Sequence, residues 1–528
     1  MYKKIHIDQR GYLPDMVKKA TFVCNTAPSF TVTKSDGTKV LTTIAEEHYE
    51  NASSNETVYV GDFSSVTEPG LYFLISEECG ESDTFRIAPD LYDDVFQSAV
   101  KFFYLQRCGC DLPKEKAGLF AHPACHTSPA IVYGTSEHID ANGGWHDAGD
   151  YGRYIVPAAM TVAQLLLAAE YNPTLAAKYA NPSGSTLPDL LDEVKYELDW
   201  MLKLQRSDGC VYHKSTCHSF CGFIMPEDET GEIVISPVSY TATADFAAVM
   251  ALAVRFYRPY DSDYADVLSS AARRAYDAMK QMDPQELFKN PEGVATGWYS
   301  DRNSLDERYW AAAELYRLFG EERYHEDFKA LAAEGILHGY GWMEMGSYGN
   351  LAYQNTSFPT DASLLARIKE AIVSQAKNLL VNVKSDGYGV SLSPRDYVWG
   401  SNLAVANNGI LLMDAYRLTK DETFRKAAAE QLHYLLGRNP MGTCYLSGFG
   451  DSPMRHPHHR PSGYLGKAMP GMLSGGPSGW RADPVVKAVI PENTPPAKSY
   501  ADMTGSYSTN EVAIYWNSAF VMLLAVVL

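Results

Sequence analysis

Two periodicities divide this chain. Up to about residue 88, apolar positions come in short alternating runs at 20–23, 30–33, 58–60 and 70–75, with turn residues such as Ser35-Asp36-Gly37 between them. That pattern predicts a small antiparallel β-sandwich over residues 1–88, with Pro89-Asp90 at its boundary. Beyond it the spacing turns helical. Amphipathic runs at 93–107, 154–170, 187–205, 241–257, 261–281, 307–319, 323–336, 362–381, 403–418, 422–436 and 511–527 predict eleven helices in a second domain, 89–528. The loops between them are long and rich in Gly, Pro and aromatic residues, and no short-period repeat is present. The fold class expected is therefore mainly α, an α/α toroid whose site is built from loops at one end. A simple bundle would have shorter connections.

Composition narrows the partners. A chain of 528 residues with 46% hydrophobic and 21% charged residues is an ordinary globular sequence of more than one domain. Its net charge of -19 argues against nucleic acid and anionic membranes as partners and is indifferent to a neutral substrate. The apolar run 519–528 is too short to span a bilayer and reads as a buried final helix. The opening Met1-Tyr2-Lys3-Lys4 lacks an apolar signal region, and the nine scattered cysteines do not form a disulfide framework. Both features favour a cytoplasmic protein, or a secreted one if a signal peptide has been removed; a monomer is expected.

The chemistry concentrates at Gly143-Gly144-Trp145-His146-Asp147-Ala148-Gly149-Asp150-Tyr151-Gly152. Glycines permit tight turns and close approach of a ligand. Carboxylates supply acid/base chemistry, and aromatic faces suit a pyranose ring. The plain alternative is that Asp150 caps the apolar helix that follows. A second carboxylate, Glu511, lies in Tyr507-Ser508-Thr509-Asn510-Glu511, where Ser508 and Glu511 have capping-box spacing. Local sequence favours the cap there. Cys108, Cys125, His126 and His146 form a Cys2His2 set suited to tetrahedral zinc, with Cys110 a rival for Cys108 and His122 a spare. Free cysteines beside a buried histidine are the alternative. The run Asp301-Arg302-Asn303-Ser304-Leu305-Asp306-Glu307 crowds oxygen ligands as calcium requires, or is a solvated acidic helix start.

The Gly-Gly-Trp-His-Asp-Ala-Gly-Asp-Tyr stretch resembles the aspartate motif of glycoside hydrolase family 9. The segment Tyr500-x-Asp502, Tyr507, Glu511, Ala513, Asn517, Ser518 resembles that family's second signature, and Pro457-His458-His459-Arg460 its His-x-Arg segment, with Cys444 and Ser452 departing from the preferred residue types. The resemblance covers nearly the whole chain and reverses the capping reading of Glu511. It implies an (α/α)6 barrel behind an immunoglobulin-like domain. It also implies inverting hydrolysis of β-1,4-glucosidic bonds in cellulose-type or mixed-linkage β-glucans and cello-oligosaccharides. Asp150 would be the general base, Asp147 its helper and Glu511 the general acid, the carboxyl groups being about 6.5–9.5 Å apart to admit a water. His458 and Arg460 would hold sugar hydroxyls, and Trp298, Trp399 and Tyr507 would be stacking platforms. It further implies a structural zinc at Cys108, Cys125, His126 and His146, pinning the aspartate loop, and a calcium at Asp306 and Glu307 with Glu344 as a distant ligand.

Three other functions fit parts of the sequence. An exo-acting enzyme (cellobiohydrolase, glucosidase or glucosaminidase-like) would trim short imported oligosaccharides. A glycan-binding protein without activity is disfavoured by the retention of all three carboxylates. A zinc hydrolase is disfavoured because a Cys2His2 set leaves no open coordination position. The β domain is expected to buttress the helical domain.

Overall fold

The structure, a computed structural model, describes residues 3–181 and 183–528. The chain forms two compact units, one from residues 1–102 and 374–528, the other from 103–373. The 88/89 boundary read from the sequence is a change of secondary structure inside the first unit.

The first unit begins with ten strands: β1 (Ile5–His6), β2 (Gly11–Tyr12), β3 (Lys19–Val23), β4 (Ser29–Lys34), β5 (Lys39–Ile44), β6 (Glu47–Asn51), β7 (Glu56–Asp62), β8 (Gly70–Ser76), β9 (Gly80–Glu81) and β10 (Phe85–Ile87). They form two sheets, ordered β1-β3-β7-β6 and β2-β10-β8-β4-β5, with β9 beside β8. Pairing is antiparallel except between β2 and β10. Alternation sets the faces. In β4 Phe30 and Val32 point inward, and in β8 Tyr72 and Leu74 do so, joining Phe22 and Phe85 in one core.

The sandwich is tied to the helical part of its own unit by buried polar contacts. Asp8 pairs with His433 at 2.8 Å, and Gln9 reaches Gly442 O at 2.8 Å. Thr21 donates to Gly387 O at 2.7 Å, where a Cβ would lie 2.3 Å from Val58. In this helical part, Ser401–Thr419 packs on Glu422–Leu435 and Ile514–Val527. A Cβ on Gly409 would meet Leu523 at 2.5 Å, so the glycine permits the close approach of two helices.

In the second unit, Tyr240–Tyr257 packs on Ile155–Tyr171, Ser262–Met279 and Leu305–Phe319, and the last also packs on Gly346–Gln354 and Glu322–Glu334. Ser239 caps Tyr240–Tyr257 by accepting from Ala242 N at 3.1 Å, a contact worth about 1 kcal/mol. The expected helices are present to within a few residues at each end. Their character differs from the expectation in one respect. Ile155–Tyr171, Tyr240–Tyr257 and Ile514–Val527 are buried around nearly their whole circumference rather than on one stripe. The sequence pattern also missed Gly346–Gln354, whose first eight residues are buried and so carry no polar face.

A five-stranded sheet in the loops was not legible either. It comprises β11 (Ala130–Val132), β12 (His138–Ile139), β13 (Arg153–Tyr154), β14 (Lys214–Cys217) and β15 (Ile233–Ile235), ordered β12-β11-β15-β14-β13. Among the described residues no helix is long and apolar enough to cross a membrane.

Candidate active site

In the second unit the loop 143–152 is held from below. Gly143 and Gly144 take positive φ, and a Cβ on Gly144 would lie 2.7 Å from the Trp200 ring. Trp145 is fully buried. Glu197 accepts its backbone N–H at 2.6 Å and Glu193 its indole N–H at 3.0 Å. Arg153, on β13, donates to Ala141 O at 2.5 Å and Gly143 O at 2.8 Å. Gln106 donates to His146 O at 3.1 Å. These contacts fix the backbone on both sides of the two aspartates.

Asp150 does not cap a helix. The helix N-cap is Tyr154, without a side-chain cap. One Asp150 oxygen instead accepts from Gly152 N at 2.9 Å and Tyr154 OH at 3.2 Å. Asp147 accepts from Tyr299 OH, and its own N–H donates to Gly152 O at 2.9 Å. Tyr299 was missed by the sequence reading. It stands in left-handed backbone (φ 41°) next to Trp298, whose carbonyl accepts from His213 at 2.7 Å. Trp298 itself is 64% exposed, which suits a platform and not a core residue.

Cys108, Cys125, His126 and His146 come together with their ligand atoms all within 4.8 Å. Cys108 Sγ lies 3.6 Å from His126 Nδ1 and Cys125 Sγ 3.8 Å from His146 Nε2. A tetrahedron with Zn–S about 2.3 Å and Zn–N about 2.0–2.1 Å has S···N edges of about 3.6 Å, so the donors fit zinc. The hydrogen bond from Cys108 holds Cys125 far below the ordinary thiol range, while burial raises Cys108. Burial lowers His146 to about 4, leaving a neutral imidazole able to ligate. Cys110 and His122 lie outside this group.

A second group, Asp301, Asp306 and Glu307, is buried. Burial pushes Asp301 up to about 7 and Asp306 up to about 6. Asp245, unsuspected from sequence, is fully buried with neither oxygen hydrogen-bonded, and feels the like charges of Asp306 and Asp301. Such a set suits a hard cation. The solvated acidic start is not what is found, since Asp306 and Glu307 are buried. Glu344 adds its charge beside Asp306 without joining the ligand group.

The remaining residues, Glu511, His458, Arg460, Tyr507 and Trp399, lie in the first unit. The expected helix 511–527 begins only at Ile514, and Glu511 is extended (φ -68°, ψ 164°) after the short helix Tyr507–Asn510. The capping-box geometry is absent. Asp483 accepts the N–H of Ser508 at 3.0 Å and also its hydroxyl, so Ser508 is spoken for. The backbone of Glu511 pairs with that of His458 in a short parallel bridge, and its carbonyl accepts from Gly475 N at 2.8 Å. Asp502 accepts from the N–H of Arg455 and His456 at 2.9 and 2.8 Å, fixing the segment that carries His458. Burial lowers the His458 imidazole, the Thr504 carbonyl contact opposes this, and the Arg460 charge adds to it. Tyr507 lies 5.2 Å from the ring of Trp399 and 5.9 Å from that of His458. Trp399 is 39% exposed.

Comparisons with known proteins identify the family. Residues 92–524 match the family described as glycosyl hydrolase family 9, and residues 1–81 match the cellulase N-terminal ig-like domain. The chain is 37% identical to endoglucanase D of Acetivibrio thermocellus, covering 99% of this chain and 83% of that one. It is 36% identical to a cellodextrinase of Butyrivibrio fibrisolvens over 100% of both chains. Its structure resembles that of a thermostable endoglucanase from Alicyclobacillus acidocaldarius, with a TM-score of 0.93, 36% identity and 99% coverage of both chains.

Proposed function

The chain belongs to glycosyl hydrolase family 9, and from that premise we propose that it cleaves β-1,4-glucosidic bonds with inversion at the anomeric carbon. It is a glycoside hydrolase of the cellulase type, with a helical catalytic domain and an N-terminal β-sheet domain, and it acts on β-1,4-glucans. Residues 1–88 are read as the immunoglobulin-like domain and 89–528 as the catalytic domain.

In this reading Asp150 removes a proton from the attacking water as that water bonds to the anomeric carbon. Glu511 delivers a proton to the departing glycosidic oxygen, and Asp147 helps hold the water. Inversion demands two carboxyl groups in opposite protonation states. The observation that carries the base assignment is the pair of donors, Gly152 N–H and Tyr154 O–H, on one Asp150 oxygen. Hydrogen bonds to a carboxylate favour its ionised form. His458 and Arg460 hold sugar hydroxyls, and Trp298, Trp399 and Tyr507 stack on sugar rings.

Cys108, Cys125, His126 and His146 would hold a zinc ion, which would cross-link the segments that carry them. Because His146 precedes Asp147, that cross-link would fix the loop that presents the base. Asp301, Asp306 and Glu307 would hold a calcium ion, which would neutralise buried charge, that of Asp245 included, at the start of Leu305–Phe319.

The test uses leaving groups. Glu511→Ala is expected to lose most activity on cellopentaose and far less on a dinitrophenyl cellobioside, whose leaving group needs no proton. Equal losses on both substrates would remove Glu511 from the acid role. Asp150→Asn is expected to be inactive on both. A second reading, exo action on short cello-oligosaccharides, is favoured by the full-length likeness to a cellodextrinase. Early release of a single product size from cellopentaose would select it over endo cleavage.

A further inference from the structure

We propose that Glu229 is a positioning residue of the zinc centre, and that through it the segment 218–232 is locked to the aspartate loop. The inference rests on the zinc reading above and concerns a residue outside the ligand set.

The geometry is specific. His126 Nε2 lies 2.9 Å from Glu229 Oε2, with both side chains nearly buried, at 3% and 10% exposure. The other ring nitrogen, Nδ1, faces Cys108 Sγ at 3.6 Å. A carboxylate only accepts, so Nε2 carries the hydrogen and the Nδ1 lone pair is left for a metal. His126 stands in left-handed backbone (φ 51°), a conformation unusual for a non-glycine residue.

Glu229 lies between β14 and β15, in the segment whose Ile224 carbonyl accepts from Tyr151 OH at 2.5 Å. Tyr151 follows Asp150 directly, and its ring sits 4.8 Å from that of His146. The segment is thus fastened at two points, one on a zinc ligand and one on the loop of the base. Losing the Glu229 contact frees the His126 ring to turn, which weakens the metal site first and the segment's hold on Tyr151 second.

Zinc competition against a chromogenic chelator on the full chain tests this, together with the absorption spectrum of the cobalt-substituted protein. Glu229→Gln keeps the shape and removes the charge, and Glu229→Asp keeps the charge. Glu232→Gln is the control, since Glu232 makes a similar pair with His218 (3.1 Å) in the same segment, but an exposed one. The expected result is one zinc per wild-type chain and 10–100-fold weaker binding in Glu229→Gln with an altered cobalt spectrum. Partial recovery in Glu229→Asp and no change in Glu232→Gln complete the pattern. Zinc affinity unchanged in Glu229→Gln overturns the inference and leaves the zinc reading standing. Equal losses in Glu229→Gln and Glu232→Gln overturn it too, because the segment as a whole would then be responsible. Absence of zinc from the wild-type protein overturns both the inference and the zinc reading.

Discussion

Glu197→Gln is expected to flatten the pH dependence of stability. Glu197 sits on the helix Asp189–Lys203, 1% exposed, with Oε2 accepting from Trp145 N–H at 2.6 Å and Oε1 meeting no hydrogen-bond partner. Burial pushes its carboxyl from an ordinary 4.5 up to about 8, against the pull of the Trp145 N–H and the Arg153 charge. The sign follows from where the proton is. Between pH 4.5 and 8 the unfolded chain has released a proton that the folded chain still holds, so stability falls as pH rises through that window. The gap, 8 minus 4.5, at about 1.36 kcal/mol per unit sets a ceiling of about 5 kcal/mol. Below the window the effect vanishes, and above it the cost is constant. Glutamine keeps the acceptor for Trp145 and cannot ionise. Calorimetric midpoints of wild type and variant, measured at half-unit steps, should therefore diverge in favour of the variant from pH 4.5 to 8 and then run parallel. Taking the difference cancels every other titrating group. Parallel curves across the whole range, or a variant whose advantage is greatest at acid pH, would refute the reasoning.

Three further outcomes are expected. Tyr299→Phe removes the hydroxyl donor on Asp147; a hydrogen bond to a charged group is worth about 1.5–3 kcal/mol, so kcat on cellopentaose should fall about 10–100-fold with little change in KM. An unchanged kcat would show that contact to be idle. Gly144→Ala forces a side chain into φ 76° and into the Trp200 ring, and should destabilise by about 2–4 kcal/mol in calorimetry. Gly184→Ala, at a positive φ with open space around it, should cost about 1 kcal/mol, and equal losses would mean that the Trp200 contact is unimportant. Asp245→Asn removes one like charge from the buried carboxylate group. It should raise the thermal midpoint of chelator-treated protein and weaken calcium binding in titration calorimetry, and unchanged calcium affinity would take Asp245 out of that site.

What the sequence made legible was chemistry carried on short spans. The glycine–aspartate loop, the Cys2His2 set and the strands and helices with regular alternation all appear where the pattern places them. Partners far apart in the chain were not legible. Tyr299 stands 152 residues from Asp147 and Glu229 stands 103 from His126, and neither has a local pattern to mark it. The five-stranded sheet escaped because its strands are only two to four residues long, too short to show a period. The Ser508-to-Glu511 spacing misled for a definite reason. Asp483, 25 residues earlier, takes the Ser508 hydroxyl and N–H, and Glu511 is left in extended backbone beside His458. The fully buried helices lacked a polar face, so their sequences specified helix without telling how deep they would lie.

Proton NMR of the anomeric signals during hydrolysis of cellopentaose tests the central claim most directly. Newly released reducing ends that appear first as the α-anomer, with the β-anomer growing only by mutarotation, are the result expected for Asp150 as base and Glu511 as acid. Initial release of the β-anomer would mean a covalent intermediate on an aspartate and would contradict the assignment.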